Sequence, residues 1–171
     1  MVPWIPAGNS PISFPVSVTS SSPEETFALG EALSVLLKKG DIVALKGPLG
    51  AGKTCFVKGI ARGLGVKEDV TSPTYTIVSE YEASPSPIEQ AGAETAALKS
   101  PAVIYHIDAY RLRGNDDFTA IGGEDIIFAD GISLIEWSER IEDFIPAKAI
   151  RVDIAISEDG KRLIRMYRLG A

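Results

Sequence analysis

The chain has 171 residues, with 17 Lys and Arg against 23 Asp and Glu, which gives a formal net charge of −6. This length fits one compact domain, and 45% hydrophobic with 23% charged residues excludes a wholly disordered or fibrous chain. The acidic balance argues against an autonomous nucleic-acid-binding protein, because such proteins carry a basic surface.

The N-terminal segment shows no targeting signal. Residues 1–15 lack a cationic stretch followed by an apolar one, and their prolines interrupt any helix. No stretch reaches the roughly 18 apolar residues that span a bilayer. The lone Cys55 cannot form an intrachain disulfide, which fits a reducing compartment. We expect a flexible lead at residues 1–18 and a cytoplasmic protein that does not associate with membranes.

Helical and strand signals alternate in the first third of the chain. Ser22 precedes a proline and two glutamates, a pattern typical of a helix N-terminus, and apolar spacing extends this predicted helix over residues 23–39. The apolar run 42–45 predicts a buried strand. A second amphipathic helix is predicted from Lys53 to about Leu64.

Strands dominate the rest of the pattern. Three are predicted at residues 76–81, 103–107 and 132–135. Alternating residues after position 151 predict a closing hairpin, in which Asp159 and Gly160 form a two-residue turn. Strands that alternate with helices indicate a layered α/β sheet, to which the hairpin adds antiparallel strands.

One segment differs in composition from its surroundings. Residues 82–102 are rich in Ala, Ser, Pro and Glu and contain no aromatic residue. Such a composition is typical of an exposed insertion, here with a short helix expected around residues 89–98. We therefore predict a single domain over residues 19–171 that carries this insertion.

The strongest motif is a phosphate-binding loop. Residues 47–54 read Gly-Pro-Leu-Gly-Ala-Gly-Lys-Thr and match G-x-x-x-x-G-K-[ST] between a predicted strand and a predicted helix. Glycines let successive backbone N–H groups surround phosphate oxygens. In this motif Lys53 reaches the β- and γ-phosphates, and the Thr54 hydroxyl binds Mg²⁺. The motif predicts nucleoside-triphosphate binding and a three-layer P-loop NTPase fold with a mostly parallel central sheet.

A P-loop enzyme also needs a carboxylate on the metal side, at the end of a neighbouring strand. Asp108 ends the predicted strand 103–107, and Glu136 ends the predicted strand 132–135. Both satisfy the same spatial rule, so residue patterns alone leave the two alternatives open. His106, the single histidine, lies inside an apolar strand, where a packed and hydrogen-bonded core residue is the common case.

Four sequence blocks together resemble the TsaE family of bacterial ATPases, which are needed to form threonylcarbamoyladenosine on tRNA. They are residues 47–54, 72–81 (Ser-Pro-Thr-Tyr-Thr-Ile-Val-Ser-Glu-Tyr), 105–112 (Tyr-His-Ile-Asp-Ala-Tyr-Arg-Leu) and 134–137 (Leu-Ile-Glu-Trp). The resemblance covers about residues 19–157. The phosphate loop is shared with many NTPases, whereas the other three blocks are far more specific.

The resemblance implies roles for individual residues. Residues expected to bind the nucleotide are Gly47, Gly50, Ala51, Gly52, Lys53, Thr54, Cys55 and Trp137. Thr54 and Glu136 would be the Mg²⁺ ligands, and Asp108 would support the metal site or position water. Thr74 would sense the γ-phosphate from a switch-like loop, and residues 22–25 would approach the adenine. The expected catalytic set is Lys53, Thr74, Asp108 and Glu136.

The resemblance also implies a function. Family members hydrolyse ATP slowly and work with the partner proteins TsaB and TsaD, so tRNA would be met only through the assembly. This sequence departs from the family in its 82–102 insertion and in Cys55, where threonine is common.

Three other functions remain to be weighed. A small-molecule P-loop kinase needs a basic lid, yet the lid-sized segment 82–102 has one lysine and no arginine. A GTPase would carry an Asn-Lys-x-Asp segment, which is absent from the sequence. A nucleotide-loaded scaffold with negligible hydrolysis stays open, because catalysis can depend on a partner.

Overall fold

The secondary structure comes from a computed structural model that describes residues 12–73, 75–84 and 102–169. Its helices and strands, in chain order, are β1 (Val16–Ser20), α1 (Pro23–Ser34), β2 (Ile42–Lys46), α2 (Lys53–Gly63), β3 (Val78–Ala83), β4 (Ala102–Asp108), α3 (Asn115–Ala120), α4 (Gly123–Ile127), β5 (Gly131–Glu136), β6 (Ile150–Ile156) and β7 (Arg162–Arg168). Two 3₁₀ segments occupy Ala109–Arg111 and Ser138–Phe144. Most of the predicted insertion, residues 85–101, lies outside the described residues.

The described strands form one mixed sheet in the order β1-β7-β6-β2-β5-β4-β3. The four central strands are parallel, since β2 pairs in parallel with β6 and β5, and β5 pairs in parallel with β4. The pairings β1–β7, β6–β7 and β3–β4 are antiparallel. The predicted mostly parallel sheet with an antiparallel C-terminal hairpin is confirmed.

Helical layers cover both faces of this sheet. On β2, Val43 and Leu45 pack into one apolar cluster with residues of α1 and α2. Ile42 and Ala44, which point the opposite way, pack into a second cluster with Phe118 of α3 and apolar residues of the 3₁₀ segments. Because successive strand residues face opposite sides, a strand that is apolar throughout must lie between two layers. This is the predicted three-layer arrangement.

The first strand was not predicted. Val16–Ser20 pairs with β7, and Ile12 is buried in the larger apolar cluster. These residues overlap the predicted flexible lead 1–18, of which residues 1–11 lie outside the described part of the chain. Five residues alternate too briefly to identify a strand, and this one depends on β7, which lies almost 150 positions further along the chain.

Three predicted boundaries were wrong. Strand β3 spans Val78–Ala83 instead of residues 76–81. Helix α1 ends at Ser34 instead of residue 39, because the chain tightens into i→i+3 hydrogen bonds from Leu36 N to Leu33 O and from Leu37 N to Ser34 O, both 3.0 Å. The β6–β7 connection is longer than a two-residue turn: Ile156 pairs with Arg162, which leaves residues 157–161 between the strands. Ser157 N donates to Lys161 O at 2.9 Å and closes this loop.

The short helices α3 and α4 and the two 3₁₀ segments were not predicted either, because each is too short to show a helical period. No helix in the described ranges is long and apolar enough to cross a membrane.

Candidate active site

A cavity of about 340 Å³ lies where β2, β4 and β5 end. It is lined by Leu49, Gly50, Gly52, Lys53, Thr54, Cys55, Ser72, Asp108, Tyr110, Glu136 and Trp137. Ligands of open α/β sheets bind at the carboxyl ends of the strands. The tertiary structure thus gathers most of the predicted site residues around one cavity.

The phosphate loop connects β2 to α2. Gly47 has φ +154°, and a Cβ at this position would lie 2.4 Å from the carbonyl oxygen of Ile154, so the close approach of β6 requires glycine. Helix α2 begins at Lys53 with Gly52 as its N-cap, and no side chain caps it. Its first N–H groups and the positive end of its dipole are therefore available to an anion.

Lys53 is the cation of the cavity. Its Nζ donates to the carbonyl oxygens of Gly47 at 2.7 Å and Pro48 at 3.0 Å, and lies 3.8 Å from the ring centroid of Trp137. The residue is only 4% exposed. Burial lowers the pKa of the Lys53 ammonium, although nearby carboxylates, with Glu136 foremost, oppose this shift. The loop that would bind a phosphate therefore also holds the Lys53 ammonium in place.

Glu136 lies between two partners from other elements. Its Oε2 accepts a hydrogen bond from Thr54 Oγ1 at 2.9 Å, and its Oε1 lies 2.9 Å from His106 Nε2. Glu136 is buried, so both of these contacts lie below the protein surface. A hydroxyl and a carboxylate oxygen thus meet directly beside the start of α2.

Asp108 is the neighbour of Glu136 in the β4–β5 register but has different contacts. Its Oδ2 accepts from Ser72 Oγ at 2.5 Å, and its Oδ1 accepts from the backbone N–H of Tyr110 at 3.0 Å. Asp108 N donates to the carbonyl oxygen of Ile77 at 2.8 Å. Of the two candidate carboxylates, Glu136 meets Thr54, whereas Asp108 is tied to the loop that begins at Ser72.

The donor set fits a magnesium ion that is bound together with a phosphate ligand. Mg²⁺ prefers oxygen ligands and usually takes one or two from the protein, with waters and substrate phosphates completing its shell. Thr54 Oγ1 and Glu136 Oε2 supply two such oxygens. In the described part of the chain, no group of three or more His, Cys, Asp or Glu residues forms an all-protein metal cage.

Trp137 and Cys55 complete the cavity wall. Trp137 adopts φ +58°, unusual for a non-glycine residue, and its ring centroid lies 4.9 Å from that of Tyr110. Cys55 Sγ donates to the carbonyl oxygen of Pro23 at 3.2 Å. Burial raises the pKa of the Cys55 thiol, which favours an inert side chain over a nucleophile. Thr74, predicted to be catalytic, lies outside the described residues.

The sequence did not predict the contacts made by His106, Ser72 and Tyr110. His106 is fully buried, as expected of a core histidine, yet its hydrogen bond is to Glu136. One signal was available: His106 and Asp108 are two residues apart in a strand and so share a face. The register of β4 against β5, which brings Glu136 to that face, cannot be read from either strand alone.

The chain is similar to known proteins over most of its length. Residues 20–164 match the family model described as "Threonylcarbamoyl adenosine biosynthesis protein TsaE". Three curated relatives are each called tRNA threonylcarbamoyladenosine biosynthesis protein TsaE. The chain is 36% identical to the one from Treponema pallidum (85% of this chain, 95% of that one), 34% to the one from Bacillus subtilis (87% and 83%) and 37% to the one from Aquifex aeolicus (88% and 95%).

A solved structure shows the same fold. The crystal structure of Bacillus subtilis YdiB superposes with a TM-score of 0.67 at 30% sequence identity, and the match covers 94% of this chain and 90% of that chain.

Proposed function

The chain belongs to the TsaE family of tRNA threonylcarbamoyladenosine biosynthesis, and on this premise we propose that it is a Mg²⁺-dependent ATP-binding protein and slow ATPase that supports this modification. One observation carries the proposal. Lys53, Thr54 and Glu136 converge on a cavity at the phosphate loop, the combination that phosphoryl transfer from a nucleoside triphosphate requires.

Each residue has a distinct role in the proposed reaction. The amides of the phosphate loop and Lys53 bind the β- and γ-phosphates. Thr54 and Glu136 hold Mg²⁺, which neutralises charge on the phosphate oxygens. Cys55 and Trp137 border the nucleotide, and Thr74 senses the γ-phosphate. In these assignments, the buried polar side chains of the cavity all serve one ligand, ATP with its Mg²⁺.

Asp108 is proposed to orient the attacking water. In hydrolysis, the water oxygen forms a bond to the γ-phosphorus while the bond from that phosphorus to the β-phosphate oxygen breaks. Asp108 lines the cavity beside Glu136, and its carboxylate accepts hydrogen bonds from Ser72 Oγ and from the backbone N–H of Tyr110. A carboxylate in this place can accept a hydrogen bond from water without binding the metal.

The proposed partners are TsaB and TsaD, because the TsaE family works with both. The net charge of −6 supports a subunit that meets tRNA only through the assembly. Such a role implies work in the cytoplasm.

The sharpest test of nucleotide binding compares two lysines of α2. Lys53 is buried in the cavity and Lys58 is exposed on the same helix. We expect Lys53→Ala to weaken ATP binding by about 10- to 100-fold, because charge-assisted hydrogen bonds to the phosphates are lost. Lys58→Ala should bind like the wild type. Isothermal titration with ATP and Mg²⁺ measures both, and equal affinities for the two variants would contradict the phosphate-loop assignment.

A second experiment tests the ATPase and its partners. ATP hydrolysis is measured for the chain alone and with TsaB and TsaD, together with repeated modification of a tRNA substrate. We expect the partners to stimulate hydrolysis and repeated modification to require this chain. Tight ATP binding without stimulated hydrolysis would favour the nucleotide-loaded scaffold, and transfer of phosphate to a small molecule would favour a kinase.

A further inference from the structure

The buried hydrogen bond between His106 and Glu136 has no function in the mechanism above. His106 is the single histidine of the chain, lies in the interior of β4 and has no exposed surface. Its Nε2 is 2.9 Å from Glu136 Oε1, and its Nδ1 is buried without a hydrogen-bond partner in the part of the chain that the structure describes. Burying a polar ring costs free energy unless the ring is hydrogen-bonded, and here the hydrogen bond is to Glu136.

The chemistry of the pair decides which atom donates. An ionised carboxylate can only accept hydrogen bonds, so the imidazole must carry its proton on Nε2 to bind Oε1. Nδ1 then presents a lone pair, which suits its surroundings because buried N–H groups without an acceptor are rare in proteins. The ring therefore donates one hydrogen bond, and that bond goes to Glu136.

This hydrogen bond bears on the orientation of the two carboxylate oxygens of Glu136. The torsion that rotates a glutamate carboxylate is broad, so packing alone holds its two oxygens loosely. His106 belongs to the paired centre of the sheet, opposite Leu134 of β5, and so offers a rigid donor. With Oε1 held by His106, Oε2 is directed at Thr54 Oγ1, 2.9 Å away on the cavity side.

We propose that His106 is a positioning residue that orients the Glu136 carboxylate for Mg²⁺. This inference rests on the proposed function, in which Glu136 is a metal ligand. Groups that hydrogen-bond a metal ligand fix its orientation, and their loss typically lowers metal affinity or activity by about 10- to 100-fold. His106 touches neither nucleotide nor metal and acts only through Glu136.

The test separates the metal from the nucleotide. ATP affinity is measured by titration in Mg²⁺ and in EDTA for the wild type, His106→Leu and His106→Gln. Leucine fills similar space without a donor, whereas glutamine offers an amide N–H near the position of Nε2. We expect the gain in affinity on adding Mg²⁺ to fall about 10- to 100-fold in His106→Leu and to be largely restored in His106→Gln. Affinity in EDTA should stay unchanged, because Lys53 and the loop amides do not contact His106.

Different results overturn different statements. A full Mg²⁺ gain in folded His106→Leu overturns the positioning role alone. A loss of equal size in Mg²⁺ and EDTA, or a His106→Gln variant no better than His106→Leu, shows a merely structural role and also overturns it. A wild type whose ATP affinity does not depend on Mg²⁺ overturns the proposed function together with this inference.

A second measurement uses the wild type alone and needs no ATP hydrolysis. Because the chain has one histidine, the imidazole region of a ¹H–¹⁵N correlation spectrum of the untagged wild type contains a single ring. We expect its proton on Nε2, and a change in both nitrogen signals when Mg²⁺ and a non-hydrolysable ATP analogue are added. A ring protonated only on Nδ1 would overturn the proposal, since Nε2 could not then donate to Glu136.

Discussion

Two side-chain contacts of the cavity and two outside it join residues at very different separations along the chain. In the cavity, Thr54 binds Glu136 across 82 positions and Ser72 binds Asp108 across 36. At the surface, the Ser22 hydroxyl accepts from the N–H of Glu25, three positions away, and Asp159 binds Ser157 two positions away. These two cavity contacts thus depend on the assembled sheet, whereas the contacts of Ser22 and Asp159 form between near neighbours in the chain.

The two regions also differ in whether water can replace a lost hydrogen-bond partner. A buried donor or acceptor that loses its partner costs about 1–3 kcal/mol, and more when it is charged, because no solvent takes over. An exposed pair gains little, since water binds both groups and salt screens them. Substitutions in the cavity should therefore have larger effects than chemically similar ones at the surface.

The largest effect is expected for the two carboxylates of the cavity. Glu136→Ala should lower Mg²⁺-dependent ATP hydrolysis on the order of 100-fold, because the metal ion that Glu136 would hold contributes several kcal/mol to the transition state. Asp108→Ala should lower it less, since Asp108 orients water without holding the metal. Steady-state hydrolysis at several Mg²⁺ concentrations measures the ranking. An equal or reversed ranking would refute the assignment of Glu136 as the metal ligand.

The next effect concerns the stability of the cavity. Ser72→Ala removes the hydroxyl that donates to Asp108, and hydrogen bonds to charged groups contribute about 1.5–3 kcal/mol. We expect the free energy of unfolding in urea to fall by roughly that amount. Ser72→Thr keeps the hydroxyl and is the matched control. If both variants lose the same stability, the hydrogen bond to Asp108 is not the cause.

A smaller effect is expected at the start of α1. The Ser22 hydroxyl accepts from the backbone N–H of Glu25 at 3.2 Å and caps the helix. Ser22→Ala should lower the free energy of unfolding by about 1 kcal/mol. Ser21→Ala, at the exposed neighbouring position, should change it by less than about 0.5 kcal/mol. If both variants lost the same free energy of unfolding, the helix cap would not be the cause.

The smallest effect is expected in the β6–β7 loop. The Lys161 side chain and then the Ser157 hydroxyl lower the pKa of the exposed Asp159 carboxyl from 3.8 to about 2. A lowered carboxyl pKa stabilises the fold above the unfolded-state value and loses this contribution as the pH falls toward the folded-state value. Asp159→Asn should therefore lower Tm slightly at pH 7, and the difference should vanish between pH 4 and about pH 2.

Salt separates this loop from the cavity. Because Asp159 and Lys161 are exposed, 1 M salt should remove most of the Tm difference at pH 7. The Ser72→Ala deficit should persist in salt, since Ser72 contacts a buried carboxylate. A salt-resistant deficit at Asp159 would contradict the contrast between the two regions.

Local signals in the sequence were enough for much of the fold. Ser22 is the N-cap of α1 and Lys53 is the first residue of α2, both as predicted, because caps and glycine loops depend on residues within about four positions. The run 42–45 forms a strand that is apolar on both sides, as buried parallel strands are. The phosphate loop itself is contiguous, so its glycines, Lys53 and Thr54 were all found by spacing.

Pairing across the sheet was decided by the tertiary structure. Residue patterns alone left Asp108 and Glu136 equivalent, and the family resemblance favoured Glu136 as the metal ligand. The assembled site brings Thr54 to Glu136 and Ser72 to Asp108. The contact of His106 with Glu136 and the pairing of β1 with β7 have the same origin. A strand's own residues specify its two faces, but its register and neighbours depend on the packing of distant segments. The sequence by itself therefore determined the phosphate loop and the two candidate carboxylates. The pairing of the strands decided which carboxylate contacts Thr54 of that loop.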